Sequence, residues 1–254
     1  MQNFFYLAAE QSDWLSNELA PLLLNLLIAI IPSIIICTYV YKKDVIEKEP
    51  MPMLIKLFCL GILITIPASF VEKSLMSALD LNKSGLSVVE CIVIAFLVVG
   101  LVEEGYKYII TYFGCWHNRN FDHVYDGIVY ATFVSLGFAM LENILYVVEN
   151  GTQTALLRAF ISVPAHAFYA IACGYYLGIS KLNYSIGNKR KARLYKFFSF
   201  IIPILLHGIF DFLLLTNNND LLWIFFAFVA ILYIVSFFNI RKLSAVEMTS
   251  SIQN

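Results

Sequence analysis

The chain has few charged side chains. Only 14% of its 254 residues are Asp, Glu, Lys or Arg, whereas 60% are hydrophobic. A soluble globular protein has about 25% charged and roughly 45–50% apolar residues. This composition excludes an ordinary water-soluble fold, so lipid must be part of the solvent. The formal net charge of −1 also lacks the excess of Lys and Arg that phosphate binding needs, and a nucleic-acid partner is not expected.

Two familiar metal and redox motifs are missing as well. The five cysteines include no CxxC pair, which argues against a disulfide framework and against a thiolate zinc site. There is no HExxH motif, so a zincin-type helix is excluded. The cysteines are interpreted as small buried hydrophobic side chains.

Long apolar runs, in contrast, are abundant. About 20 helical residues span the hydrocarbon core of a bilayer. Seven runs meet that length, at about 22–41, 53–71, 88–112, 125–148, 156–179, 197–215 and 221–240. The fold class predicted is all-α: a polytopic membrane helix bundle of about seven transmembrane helices, forming one integral-membrane domain over 1–254. Its motif-bearing core is 22–215, the last span is 221–240, and residues 4–19 are predicted to lie at the interface.

The basic residues predict the orientation. With the N-terminus outside, thirteen Lys and Arg residues lie on the cytoplasmic side of the seven spans, and only Lys73, Lys83 and Arg158 lie outside. This distribution follows the positive-inside tendency of membrane proteins. The prediction is therefore N-out and C-in.

Four successive spans carry ionisable groups that are expensive in lipid. The third span contains Glu103, Glu104 and Lys107. A charge near the bilayer centre costs about 2.5–3.5 kcal/mol on insertion scales. Glu103 and Lys107 are one helical turn apart and can form an ion pair, which leaves Glu104 free to face another element. Taken alone, this motif could also be a structural ion pair between helices.

The next three spans repeat the pattern. Glu142 and Asn143 lie in the fourth span and could form an interhelical hydrogen bond and nothing more. His166 begins a stripe of small residues in the fifth span, which favours the protein interior. His207 and Asp211 in the sixth span share one face at i and i+4, so the carboxylate can orient the imidazole.

Together these groups suggest water activation inside the membrane. A glutamate could act as general base, a histidine could stabilise an oxyanion, and the remaining groups could tune their pKa values. The competing hypotheses are a proton- or cation-coupled transporter and a non-catalytic membrane scaffold. A transporter would commonly show inverted repeats and interrupted helix pairs, and neither is evident.

The chain resembles the PrsW family of bacterial membrane proteases over about residues 22–215. The motifs that carry the resemblance are YKKDVIEKEP at 41–50, EEGYK at 103–107, FDHVYDGIVYATFVSLGFAMLENILYV at 121–147, PAHAFYAIACGYYLG at 164–178 and LLHGIFDF at 205–212. The resemblance implies a multi-pass protein of the bacterial cytoplasmic membrane. It also implies a site-one protease that cuts a single-span anti-sigma factor near its extracytoplasmic side during envelope stress.

The chain is similar, more distantly, to CAAX-processing and bacteriocin-immunity membrane proteases. Their pattern, a Glu pair, a basic residue, a histidine and a second histidine with Asn or Asp, is matched by Glu103, Glu104, Lys107, His166, His207 and Asp211. The resemblance implies catalytic roles for the glutamates, the histidines and Asp211, and Lys107 is expected to support them. Glu142 and Asn143, outside that pattern, are also expected in supporting roles. Asp211 stands where many relatives have Asn, and a carboxylate donates to an oxyanion only when protonated.

Two mechanisms remain open at this point. In the preferred one, Glu103 or Glu104 deprotonates water and no cofactor is expected. In the alternative, His166, His207, Glu103 and Glu104 hold a divalent metal such as zinc, with an open position for water.

Overall fold

The computed structural model describes residues 19–45, 47–216 and 218–252, with side chains through residue 244. The predicted interfacial stretch at 4–19 lies outside this part of the chain, except for its last residue. All regular structure in the described ranges is helical, as predicted. The α-helices, labelled in chain order, are α1 (Ala20–Lys43), α2 (Met51–Ala78), α3 (Val88–Ile92), α4 (Leu101–Cys115), α5 (Val124–Phe160), α6 (Ser162–Ser185), α7 (Lys189–Leu215) and α8 (Asn219–Ile252), and a π-helix (Val93–Gly100) joins α3 to α4.

Continuous apolar sequence in lipid favours helices, because a helix satisfies its own backbone hydrogen bonds. Within the described residues, five helical stretches are long and apolar enough to cross a membrane: Ala20–Lys43, Met51–Ala78, Val124–Ser185, Lys189–Leu215 and Asn219–Ser244. The 62-residue stretch contains both α5 and α6. The predicted third span is divided among α3, the π-helix and α4.

The boundary between the fourth and fifth predicted spans differs from expectation. Helix α5 runs on to Phe160 across a kink at Gly151, whose φ of 76° is in the left-handed region that favours glycine. Helix α6 begins only at Ser162, so Pro164 lies in its first turn. A proline is tolerated there because the amide it lacks would have no helical partner. Pro164 therefore breaks no hydrogen bond in the interior of α6.

Helix α5 forms the centre of the bundle. It packs against α1, α2 and most extensively α6, and α6 in turn packs against α7. One large hydrophobic cluster extends through these helices from Cys37 to Ile240. The outer faces carry exposed apolar side chains such as Phe70, Phe113 and Trp223, as expected for surfaces in contact with lipid.

Local signals in the sequence set several helix starts. Ser87 and Glu90 form a capping box at the start of α3. At the start of α5, the Asp126 carboxylate accepts the backbone N–H of His123 at 2.7 Å. Asn188 accepts the N–H of Lys191 and so caps α7.

Candidate active site

The first part of the site is built on α4. Lys107 Nζ donates to Glu103 Oε2 at 2.8 Å and to Glu104 Oε1 at 2.9 Å. All three side chains are buried. The ammonium thus contacts both glutamates, whereas the sequence predicted a pair with Glu103 alone. A shared cation reduces the repulsion between two adjacent carboxylates.

His207 on α7 joins this group. Its Nδ1 atom lies 3.0 Å from Glu104 Oε1, and its Nε2 atom lies 3.4 Å from Asp211 Oδ2. The shorter contact is made by Glu104, so the imidazole is positioned mainly across helices rather than by its i+4 neighbour. The predicted orienting role of Asp211 is secondary in this geometry.

Two glycines, Gly100 and Gly208, allow the π-helix and α7 to pack closely together. A Cβ atom on Gly100, in the π-helix, would lie 3.3 Å from the carbonyl oxygen of Ile204. One on Gly208, next to His207, would lie 2.3 Å from the ring of Phe96. The π-helix therefore rests directly on α7, and it ends just before Glu103. Single π-helical insertions are frequent at functional sites.

His166 on α6 completes the constellation. Its Nδ1 atom lies 3.1 Å from Lys107 Nζ, and its Nε2 atom lies 3.0 Å from Glu142 Oε2 on α5. Its ring is 5.4 Å from the ring of His207. Glu142 also forms an ion pair of 2.9 Å with Arg158. Glu142 therefore holds His166 in place from the side opposite Lys107.

Asn143 has a different position. Its Nδ2 atom donates to the carbonyl of Ala29 on α1 at 3.0 Å, and its Oδ1 atom accepts from Arg158 Nε at 3.0 Å. The bond to Ala29 is an interhelical hydrogen bond of the kind that the structural interpretation of the Glu-Asn pair predicted. Asn143 reaches the site only through Arg158.

A cavity of about 530 Å³ opens beside these groups. Glu103, Glu142, His166, His207 and Asp211 all line it. The rest of its wall comes from the last turns of α2 and α7, the later part of α5, the first turns of α6, and Ile94 and Val99 of the π-helix. The cavity is large enough for a side chain or a short extended segment of a peptide.

Comparison with known proteins identifies the family. The profile of the PrsW family intramembrane metalloprotease matches residues 49–239. The chain belongs to the PrsW family. A "Protease PrsW" of Clostridioides difficile is 38% identical over 220 residues, which cover 85% of this chain and 90% of that protein. One of Bacillus subtilis is 34% identical over 88% of this chain and 96% of its own length, and one of Geobacillus kaustophilus is 38% identical over 74% and 78%. No solved structure matches.

The description of the family as metalloproteases favours the metal alternative over the cofactor-free mechanism preferred from sequence. The donor set fits a metal ion: Glu103, Glu104, His166 and His207 are buried and offer ligand atoms within 4.8 Å of one another. Carboxylate oxygens and imidazole nitrogens are zinc ligands.

The local charge balance points the same way. Five carboxylates meet at the site (Glu72, Glu103, Glu104, Glu142 and Asp211), against two permanently cationic side chains, Lys107 and Arg158. A divalent cation is attracted to such a group of carboxylates. The ammonium of Lys107 contacts three of these four potential metal ligands: Glu103, Glu104 and His166.

Sequence reasoning missed three residues of this site. Arg158 was assigned to the outer surface but pairs with Glu142. Glu72 was placed beyond the second span, yet α2 continues to Ala78 and brings it to the cavity wall. Tyr169 lies one turn after His166 and was not singled out from the sequence. The spacing of three from His166 was the available signal, because residues at i and i+3 share a helix face.

Proposed function

We propose that this chain is an intramembrane endopeptidase that hydrolyses a peptide bond of a membrane-anchored protein. One observation supports this most strongly: two glutamates and two histidines from three separate helices meet at a cavity within a membrane-embedded bundle. Ionisable groups in lipid are costly, so their convergence on a cavity is explained better by chemistry than by packing. Membership of the PrsW family supports the same conclusion.

The proposed topology is a single integral-membrane domain with seven crossings, N-out and C-in, in the bacterial cytoplasmic membrane. This count treats α5 and α6 as separate spans, and it treats α3, the π-helix and α4 together as one span. In this orientation the cavity opens toward the outer side, since α2, α5 and α7 end there and α6 begins there. Cleavage near the extracytoplasmic side follows from that placement.

The proposed substrate is a single-span anti-sigma factor. The chain would act as the site-one protease, and its cut would allow a second intramembrane protease to release the sigma factor in response to envelope stress. The family resemblance supports this assignment. The position of the cavity near one membrane surface also fits a cut close to the end of a transmembrane segment.

The site's own residues suggest how hydrolysis proceeds. The Glu103–Glu104 pair supplies a carboxylate that takes a proton from water, and the water oxygen attacks the peptide carbonyl carbon. The C–N bond then breaks as the same proton passes to the leaving amine. Glu142 holds His166, and Glu104 with Asp211 holds His207, so both imidazoles stay directed at the cavity.

Glu103, Glu104, His166 and His207 would hold a divalent ion such as zinc. A bound ion lowers the pKa of water and polarises a carbonyl.

Cleavage of a purified candidate anti-sigma factor, in detergent and with or without chelator, tests the proposal. Glu103→Ala, Glu104→Ala and His207→Ala should each abolish cleavage while the protein still inserts. Glu47→Ala, on an exposed acid in the loop before α2, is the matched control and should cleave normally. Normal cleavage by all three site variants would refute the proposal. Ion flux into liposomes that depends on Glu104 would favour the transporter instead.

A further inference from the structure

Tyr169 occupies an unusual position beside the two histidines. It lies one turn after His166 on α6, is only 1% exposed and lines the cavity. Its ring stacks on His207 with centroids 4.9 Å apart and planes at 22°, and it meets His166 edge-on at 5.9 Å. The side chain is therefore fixed by contacts with both imidazoles.

The hydroxyl group of Tyr169 has no hydrogen-bond partner among the described residues. Other buried tyrosines behave differently: Tyr125 donates to the carbonyl of Val40 at 3.0 Å, and Tyr130 donates to the carboxylate of Glu49. A buried polar group left without a partner destabilises the folded state. Tyr169 bears this cost at the cavity wall.

The surroundings of that hydroxyl are rich in acceptors. Its oxygen interacts electrostatically with the carboxylates of Asp211, Glu104, Glu103 and Glu142, yet it donates to none of them. The carboxylates are occupied by Lys107, Arg158 and the histidines. The phenol is thus a free donor held rigidly next to the groups proposed to activate water.

We infer that the Tyr169 hydroxyl is a catalytic hydrogen-bond donor to the carbonyl oxygen of the scissile peptide bond. This inference rests on the proposed peptidase function. As the water oxygen bonds to the carbonyl carbon, the C=O π pair moves onto oxygen and that oxygen becomes negative. The phenol O–H donates to it without transferring its proton, and the bond strengthens as charge develops. Asp211 does not donate in this way when ionised.

The Tyr169→Phe variant tests the inference, because it removes one oxygen atom and keeps the ring that stacks on His207. Loss of one oxyanion donor typically lowers kcat about 10²–10³-fold. We expect a fall of about 100-fold in kcat with KM within roughly threefold of wild type. The thermal midpoint in detergent should not decrease, because the hydroxyl contributes no hydrogen bond to folding.

Tyr125→Phe is the matched control, since it removes a buried tyrosine hydroxyl that has a structural partner. It should lower the thermal midpoint and leave kcat unchanged for the folded fraction. A peptidyl trifluoromethyl ketone provides a second readout. Its hydrate resembles the tetrahedral species, so its inhibition constant should rise in Tyr169→Phe by about the factor lost in kcat/KM.

Three results would overturn the inference. If wild type cleaves and Tyr169→Phe cleaves with the same kcat, the inference fails while the proposed function stands. If wild type fails to cleave the substrate and fails to bind the ketone, both fail together. A loss of activity that matches a loss of folded protein would also assign Tyr169 a structural role only.

Discussion

The Nζ atom of Lys107 lies 3.1 Å from Nδ1 of His166, on a different helix. The same atom contacts Glu103 and Glu104. A side-chain cation therefore bridges three residues that a divalent ion would also use. Two cations at that spacing repel strongly in a low-dielectric interior, so the ion and the ammonium cannot share this position.

Replacing Lys107 by Met should increase metal binding. Without metal, the variant should lose thermal stability, because removing one partner of a buried ion pair costs about 3–5 kcal/mol. Added zinc should restore that stability, giving a larger zinc-dependent rise of the thermal midpoint than in wild type. Bound zinc, measured after desalting, should show an affinity at least about tenfold higher, since a competing charge near the ligands has been removed.

Lys181→Met serves as the control for that measurement. Lys181 donates to the carbonyl of Trp116 and touches none of the four metal-donor residues. Its replacement should leave zinc affinity unchanged. Equal zinc affinity in wild type and Lys107→Met would contradict the prediction.

Glu142→Gln should slow cleavage without preventing folding. The amide keeps the size of the side chain but weakens the contacts with His166 and Arg158. Loss of a carboxylate that orients a histidine typically costs about 10–100-fold in activity or metal affinity. Cleavage kinetics should therefore show kcat lower by that factor. Glu47→Gln, on an exposed acid in the loop before α2, should cleave at the wild-type rate.

Asn143→Ala should affect stability more than chemistry. It removes the hydrogen bond to Ala29 on α1 and the contact with Arg158. Interhelical hydrogen bonds in membranes contribute about 0.6–2 kcal/mol each. We expect a thermal midpoint several degrees lower, with near-normal kcat for the folded fraction. Asn150→Ala, on an exposed part of the same helix, should change neither quantity, and an equal effect of both variants would argue against the structural role.

Glu72→Gln should not destabilise the protein. Its Oε1 atom is buried without a hydrogen-bond partner among the described residues. The carboxylates of Glu103 and Glu142 affect it more strongly than Lys107 and His207 do. Removing a poorly compensated negative charge is neutral or favourable. Thermal unfolding should show a midpoint equal to or above that of wild type, whereas Glu103→Gln should lower it. A large drop for Glu72→Gln would show that its charge has a partner.

Glu49 should make stability depend on pH. This loop residue lies outside the membrane-spanning helices, and burial raises its pKa to about 7, despite the hydrogen bond from Tyr130 that lowers it. The folded protein then binds a proton that the unfolded chain has lost above its ordinary pKa of 4.5. Stability from this group is greatest below that value and decreases as the pH rises to about 7.

Glu49→Gln should weaken this dependence. Its thermal midpoint should decrease less between about pH 5 and 8 than that of wild type and should exceed it at the upper end. Thermal unfolding in detergent across this range measures both curves. Parallel curves for wild type and variant would refute the prediction.

Spacing within one helix was sufficient to find much of the candidate site. Glu103 and Lys107 are four residues apart, as are His207 and Asp211, and in each case the two side chains contact each other. Such pairs follow from helical geometry alone. The contacts from Glu104 to His207 and from Lys107 to His166 could not be predicted, because they depend on how one helix is rotated against another.

Helix ends were the weakest part of the prediction. Hydrophobicity places the end of the second span where the apolar run ends, at residue 71. Helix α2 continues to Ala78, and the Ser74 hydroxyl donates to the carbonyl of Phe70. That extra length brings Glu72 to the cavity. In the same way, Arg158 follows the kink at Gly151 and pairs with Glu142, whereas the sequence predicted only that it lies on the outer side of the membrane.

The amino-acid sequence was enough to establish a helical membrane protein with buried ionisable groups, because apolar runs of this length must satisfy their backbone bonds within helices. Only the packed bundle decided which groups share a cation, which asparagine ties helices together and which tyrosine hydroxyl is left as a donor. Those relationships depend on the rotation and close approach of whole helices, which small residues such as Gly100 and Gly208 permit but do not specify.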